Sequence, residues 1–375
     1  VYNIGCNPIQ GAIPERKIPL KENNKPAKRV DIGGQAVLEG VMMRSPEYIA
    51  LAVRRPDGSV VCKRDPYVSP AKKHKWMGWP FMRGAVSMVT MLGTGMKTLE
   101  ESSKMGGVED EQPTRFELWL AKKLGKGVDK VVMGLAIVLA VCLSVGLFVL
   151  IPNAIIKLFP TTATGGMLLL KNLVTGLVRT AILLGYMAFC RSIPDMKRVF
   201  RYHGAEHKTV YCHEADLPLT PENARPFTTL HPRCGTSFLL ITFILSIVFY
   251  SIVDVVVLMV SGYDLGAHYL LRVLSRVILL PVVAGISYEA LKGLAHSENK
   301  LCRILRAPGM QLQRLTTAEP DDSMLEVAIV SMKAALGDMP DGPLTPEGYV
   351  IAIPAPKKDE APAADPAPAQ EEPQA

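Results

Sequence analysis

The segment Arg201-Tyr-His-Gly-Ala-Glu-His-Lys208 sets His203, Glu206 and His207 at the spacing His-x-x-Glu-His. On a helix, residues four apart share a face, so both imidazoles can point at one ion. Glu206 adjoins His207, near enough to serve a metal-bound water, and the pattern is the inverted form of the zinc-protease motif. A second donor group follows in His231-Pro-Arg-Cys234. Pro232 and Gly235 make that stretch a turn, and the intervening loop is long enough to fold back over the first group. Two metal readings result. In the catalytic one, His203 and His207 hold a divalent ion such as zinc with one further ligand from Glu289, His231 or Cys234. Water then fills the open position and Glu206 takes its proton. In the structural one, His203, His207, His231 and Cys234 close a tetrahedral site with no room for water. The plain alternative is a set of polar residues beside a membrane with no ion at all. Arg201, Lys208 and Arg233 are candidates for an anionic substrate group, a phosphate or carboxylate; otherwise their role is to hold the loop on one side of the bilayer.

The elements that must position these residues are mostly apolar. The chain has 375 residues, of which 49% are hydrophobic, and the apolar ones fall in blocks. A bilayer crossing needs about 20 mostly apolar residues. Four blocks qualify, at 131–159, 167–190, 237–261 and 268–291. Lys and Arg crowd the connection 191–236 and the flanks of the four blocks, whereas the short connections 160–166 and 262–267 carry none. The positive-inside rule then places both termini and the His-bearing connection in the cytoplasm. Glu289 falls near the cytoplasmic end of the fourth block. An ionisable group inside a span is a functional candidate by default. Arg179, Asp254, Arg272 and Arg276 lie deeper, and pairing Asp254 with one of these arginines would lower the cost of burial. The seven cysteines are scattered, mostly on the reducing side, so no disulfide is expected.

The expected fold class is an α-helical polytopic membrane protein of four spans with a small N-terminal β-containing cytoplasmic domain. Residues 1–30 read as a disordered basic terminus. A β unit over 31–70 follows, with Asp57-Gly58 supplying a hairpin turn and Gly33-Gly34 marking a close backbone approach. Residues 71–130 read as amphipathic helices, interfacial or packed on the β unit. A membrane domain covers 131–291, a helical segment 292–339, and a disordered Pro/Ala-rich acidic tail 340–375. Glu39 is a further carboxylate that the β unit could carry to the site. The run Lys72-Lys-His-Lys75 beside Trp76 suits anionic lipid headgroups. No nucleic-acid module, Walker A loop, dinucleotide fingerprint or Gly-x-Ser-x-Gly elbow is present, so nucleic acid is not an expected partner.

Several blocks together resemble the YqhQ-like family of bacterial membrane proteins, a group labelled metal-dependent enzymes. They are Gly33-Gly-Gln-Ala-Val-Leu-Glu-Gly-Val-Met-Met-Arg44, Tyr202-His-Gly-Ala-Glu-His-Lys208 and His231-Pro-Arg-Cys-Gly-Thr-Ser-Phe238, with Leu280-Pro-Val-Val-Ala-Gly-Ile-Ser-Tyr-Glu289 and Pro308-Gly-Met-Gln-Leu-Gln-Arg-Leu-Thr-Thr317. The resemblance implies a bacterial inner-membrane protein with a metal dependence and brings no substrate. From residues and resemblance together, the expected function is metal-dependent hydrolysis at the cytoplasmic membrane face. The alternative is a non-enzymatic membrane scaffold or transport-related protein with a structural His/Cys metal site.

Overall fold

The computed structural model describes residues 32–107, 128–156, 158, 165–263, 265, 269–295 and 299–356. The expected disordered terminus 1–30, residues 108–127 of the expected amphipathic stretch 71–130 and the last part of the tail lie outside them. Alternating apolar residues near the start fold as strands β1 (Gly33–Val37), β2 (Gly40–Arg44), β3 (Tyr48–Arg54) and β4 (Val60–Pro66). They form an antiparallel meander, with Ala36 opposite Val41 and Val53 opposite Val61. Asp57 and Gly58 make the β3–β4 turn, with Gly58 at φ 86° and the Ser59 amide donating to Asp57 Oδ1. The period of two sends Val41, Met43, Ala50 and Ala52 to one face and Met42, Leu51, Val53 and Val61 to the other.

Both faces are covered by helices from distant parts of the chain. Helix α1 (Met82–Met105) brings Met105 against the second face. The first face receives Tyr202 of α4 (Pro194–Glu214) and Met324, Leu325, Ala328 and Met332 of α8 (Asp322–Leu336). A fifth strand, β5 (Val350–Ile353), pairs antiparallel with β4. The sheet is buried on both sides and draws its covering helices from outside 31–70. One expectation is corrected: the tail is not structureless from 340, because Val350, Ile351 and Ile353 can complete an open sheet edge.

Asp321 caps α8, its Oδ1 accepting from the Met324 amide at 2.9 Å. Burial would raise its carboxyl, but hydrogen bonds from Ser323 and Met324, with Arg201 and Arg198 nearby, outweigh that and hold it below its ordinary 3.8. A carboxyl depressed on folding stabilises above its unfolded value and loses that effect as pH falls through the folded one. Asp321→Ala should therefore cost about 1–2 kcal/mol at pH 7. The difference from wild type should shrink below about pH 4, where the wild-type carboxyl begins to protonate; pulse proteolysis across pH reads both.

Among the described residues, four helices are long and apolar enough to cross a membrane, over Gly134–Ile156, Gly165–Cys190, Gly235–Ser261 and Leu271–Leu294. The chain is a membrane protein. The first span begins in α2 (Val128–Val145) and continues through a π turn at Gly146–Leu150. The others are α3 (Gly165–Cys190), α5 (Gly235–Ser261) and α6 (Tyr269–Ala295). Helix α1 lies close along α6. A Cβ on Gly84 would fall 2.7 Å from the Ala284 carbonyl, and one on Gly285 would fall 2.6 Å from that of Phe81. Helix α7 (Lys300–Thr316) follows the last span. Its Leu301, Ile304 and Leu305 are exposed, as are Val89, Leu92 and Met96 of α1. Each trio repeats at helical spacing, so α1 and α7 present apolar stripes beside the spans.

Candidate metal centre

Helix α4 carries the His-x-x-Glu-His motif. Pro194 starts it, where the missing N–H costs nothing, and Asp195 sits in its first turn. The face bearing the motif is almost wholly buried: Glu206 is 5% exposed and His207 1%. Two loops hold the imidazoles. His203 Nδ1 lies 2.8 Å from the Thr316 carbonyl, and His207 Nδ1 lies 2.5 Å from that of Thr229. A carbonyl only accepts, so each Nδ1 carries the proton and each Nε2 presents a lone pair. This is how proteins orient histidines that bind metals.

Cys234 meets them from the N-cap of α5, where its sulfur accepts from the Thr236 amide. His203 Nε2 stands 3.2 Å from Cys234 Sγ. Donor atoms of His203, His207 and Cys234 all fall within 4.8 Å of one another, the one such three-donor group among the described residues. Tetrahedral zinc holds such atoms roughly 3.3–3.6 Å apart, so small side-chain movements suffice. His207 Nε2 is buried with no hydrogen-bond partner. A buried polar atom left in that state calls for a ligand, and an ion between the three donors would provide it.

Glu206 completes the wall. Its Oε2 is 3.5 Å from His207 Nε2 and 4.0 Å from His203 Nε2. Strand β1 presses against it, and a Cβ on Gly34 would lie 2.6 Å from Glu206 Cγ. Burial raises the Glu206 carboxyl, against the pull of His203, His231 and the Gly34 amide. Burial also lowers His207, opposed by Cys234 and the Thr229 carbonyl, so its imidazole stays neutral into more acidic solution than a free one. Both shifts suit the chemistry: a neutral imidazole can ligate, and a carboxylate of raised basicity can take a proton. A cavity of about 250 Å³ opens beside them, bounded by Gly34, Gln35, Met91, Glu206, His207 and Cys234.

The other candidates lie elsewhere. His231 borders the cavity, its ring 5.6 Å from that of His207, but its Nε2 is 3.3 Å from Glu214 Oε1. The closed set of His203, His207, His231 and Cys234 is not assembled. Glu289 makes a two-pronged pair with Arg83 of α1 at 2.6 and 2.5 Å. It turns away because Tyr288, one helical step earlier, takes the cavity-lining position. Arg201 bonds the Glu319 carbonyl and Asp321, while Lys208 is buried against Glu319 and the Arg225 carbonyl. Arg201 lies roughly 200° around the helix from His203, which directs it to α8 instead. Arg233 does border the cavity and is paired with Glu214. Glu39, at φ 50° in the β1–β2 turn, is clamped by Arg198 at 2.5 Å and never reaches the donors.

One positioning residue was not singled out in the sequence, although it lies in the block 308–317. Gln313 of α7 is fully buried, and its side chain accepts from the His231 amide and donates to the His231 carbonyl and Ser237 Oγ, each at 2.7 Å. It fastens the turn that delivers Cys234. A glutamine in an amphipathic helix looks like any solvated residue until its partners are known.

A family profile described as "Protein of unknown function (DUF1385)" matches residues 79–338. "Uncharacterized protein YqhQ" of Bacillus subtilis (strain 168) is 36% identical over 308 residues, covering 81% of this chain and 92% of that protein. No solved structure matches. All three donors, Glu206 and Gln313 fall inside the profile, and with so much of the length matched the chain belongs to the DUF1385 family.

Proposed function

We propose that the protein is a metal-dependent hydrolase working at the cytoplasmic face of a bacterial inner membrane. The observation that carries this reading is the buried His207 Nε2. It makes no hydrogen bond, yet it sits with His203 Nε2 and Cys234 Sγ around one point beside Glu206 and a cavity. His203, His207 and Cys234 would hold a divalent ion, zinc or one like it. When bound, such an ion supplies a water of lowered pKa and a Lewis acid for a polarised carbonyl or phosphoryl group. Glu206 would take the proton from that water and return it to the leaving group. Thr316 and Thr229 keep both imidazoles in the ligating tautomer, and Gly34 holds Glu206 at the cavity wall.

Orientation and substrate access rest on charge and on apolar surface. The Lys- and Arg-rich segments cluster at the end of the spans where the sheet and α4 lie, which supports cytoplasmic termini. The exposed stripes of α1 and α7 would rest in the headgroup layer and bring the cavity to that level. An anionic substrate group is favoured by Arg233 at the cavity rim, whereas Arg201 and Lys208 serve structure. The scaffold alternative needs a closed four-donor site, and His231 stands with Glu214 instead.

Glu206→Gln separates the roles. The purified variant should keep the metal content of wild type. Its turnover of nitrophenyl ester and phosphate-ester probes should fall by roughly 10²–10⁴-fold, the usual worth of a general base. Equal rates in variant and wild type would remove Glu206 from the chemistry. Wild-type protein that takes up no divalent ion would remove the whole proposal.

A further inference from the structure

A second polar cavity lies within the membrane-spanning helices. Asp254 stands on α5 roughly 30 Å along the helix from Cys234, and the α5 residues that line the cavity, Phe243 to Ser251, lie roughly 14–26 Å from it, so the cavity is set apart from the His/Cys group. It encloses about 360 Å³, with Arg179, Arg272, Arg276, Asn172, Ser246 and Ser251 among its walls. Asp254 is fully buried and ties the cluster together. Its Oδ2 accepts from Asn172 at 2.8 Å, Arg276 at 2.6 Å and Arg272 at 3.4 Å.

Three features go beyond helix packing. Three guanidiniums border the cavity, and Asp254 pairs with two of them, Arg272 and Arg276. Arg276 Nη1 and Asp254 Oδ1 are each buried without a hydrogen-bond partner. One is a donor suited to an oxyanion, the other an acceptor suited to a hydroxyl on the same ligand. Two spans also lose regularity at the walls. Pro152 has no N–H for the Phe148 carbonyl one turn earlier, the helix opens into its π turn there, and Arg179 Nε donates to that carbonyl at 3.0 Å. Pro281 interrupts α6 beside the lining residue Leu280.

We propose that this cavity binds a phosphate or similar oxyanion bearing a hydroxyl, gripped by Arg276 with Arg179 and Arg272. Guanidinium groups match such oxyanions through paired N–H donors. Val273, Val277 and Leu280 line the cavity and are themselves exposed, so its mouth opens sideways between helices. A lipid headgroup and a soluble phosphate monoester share this chemistry. The site uses none of the residues assigned to metal binding, and its test is independent of them.

The test is native mass spectrometry of the full chain, stripped of lipid in a neutral detergent. Phosphatidylglycerol, glycerol 1-phosphate and phosphatidylcholine are added separately. One equivalent of an anionic probe should bind, at least tenfold more tightly than phosphatidylcholine, and Arg276→Gln should weaken it at least tenfold. Saturable binding of phosphatidylglycerol alone identifies a lipid headgroup; binding of glycerol 1-phosphate identifies a soluble ligand. Wild-type binding is scored first, and Arg179→Gln takes the place of Arg276→Gln if the latter does not fold. If wild type binds neither anionic probe at one per chain, or binds phosphatidylcholine equally, or if a folded variant binds undiminished, the proposal is overturned.

Discussion

His207→Ala is expected to leave a folded membrane protein that no longer retains a divalent ion. His207 is the most enclosed of the three donors, and its buried Nε2 makes no hydrogen bond. Loss of an outer-shell partner alone usually costs 10–100-fold in metal affinity, so removal of a ligand should cost roughly 100-fold or more. The remaining pair, His203 and Cys234, would hold an ion through two bonds only. Metal analysis after dialysis against a competing chelator reads the loss. The cavity left by the ring also removes buried contacts, so Glu206→Gln is the useful partner: it should keep the ion. If His207→Ala retains metal at the wild-type level, the three donors are not a metal site. His203→Ala should behave the same way.

The second large effect falls on a glycine between the two histidines of the motif. At Gly204 a Cβ would lie 2.1 Å from the Ala318 carbonyl oxygen and 3.1 Å from Thr229 Cγ2. The first of these is backbone and cannot step aside. Gly204→Ala must therefore push α4 off the segment 316–319. That segment bonds back through the Ala318 amide to the Phe200 carbonyl and through the Thr316 carbonyl to His203. Overpacking of a buried site typically costs about 1–3 kcal/mol, and a clash with backbone belongs at or above the upper figure. Because Thr316 and Thr229 hold the two imidazoles, the same shift should weaken metal binding at least tenfold in whatever protein folds. Proteolytic stability and metal content, measured together, check both parts. An unperturbed Gly204→Ala protein would mean that α4 sits less tightly on these loops than described.

Much of the fold was legible because its signals are local. Four apolar blocks of the right length read as spans, and the described spans fall within a few residues of them. Asp57-Gly58 made a turn because it acts on its own neighbours. The edge strand β5 was illegible: four apolar residues in a Pro-rich tail become a strand only against β4, more than 280 residues away.

The candidate site divides along the same line. The spacing of His203, Glu206 and His207 by itself put two imidazoles and a carboxylate on one side of a helix, since helical geometry is fixed by the backbone. Which further donor joins them was decided only by tertiary structure. Cys234 arrives because Gln313 pins its turn, His231 is drawn to Glu214, and Glu289 is taken by Arg83. Those choices depend on long-range pairing of polar groups that must each find a partner once buried, and no stretch of sequence short enough to read locally contains both members of the pairs that fix Cys234 and Glu289 in place.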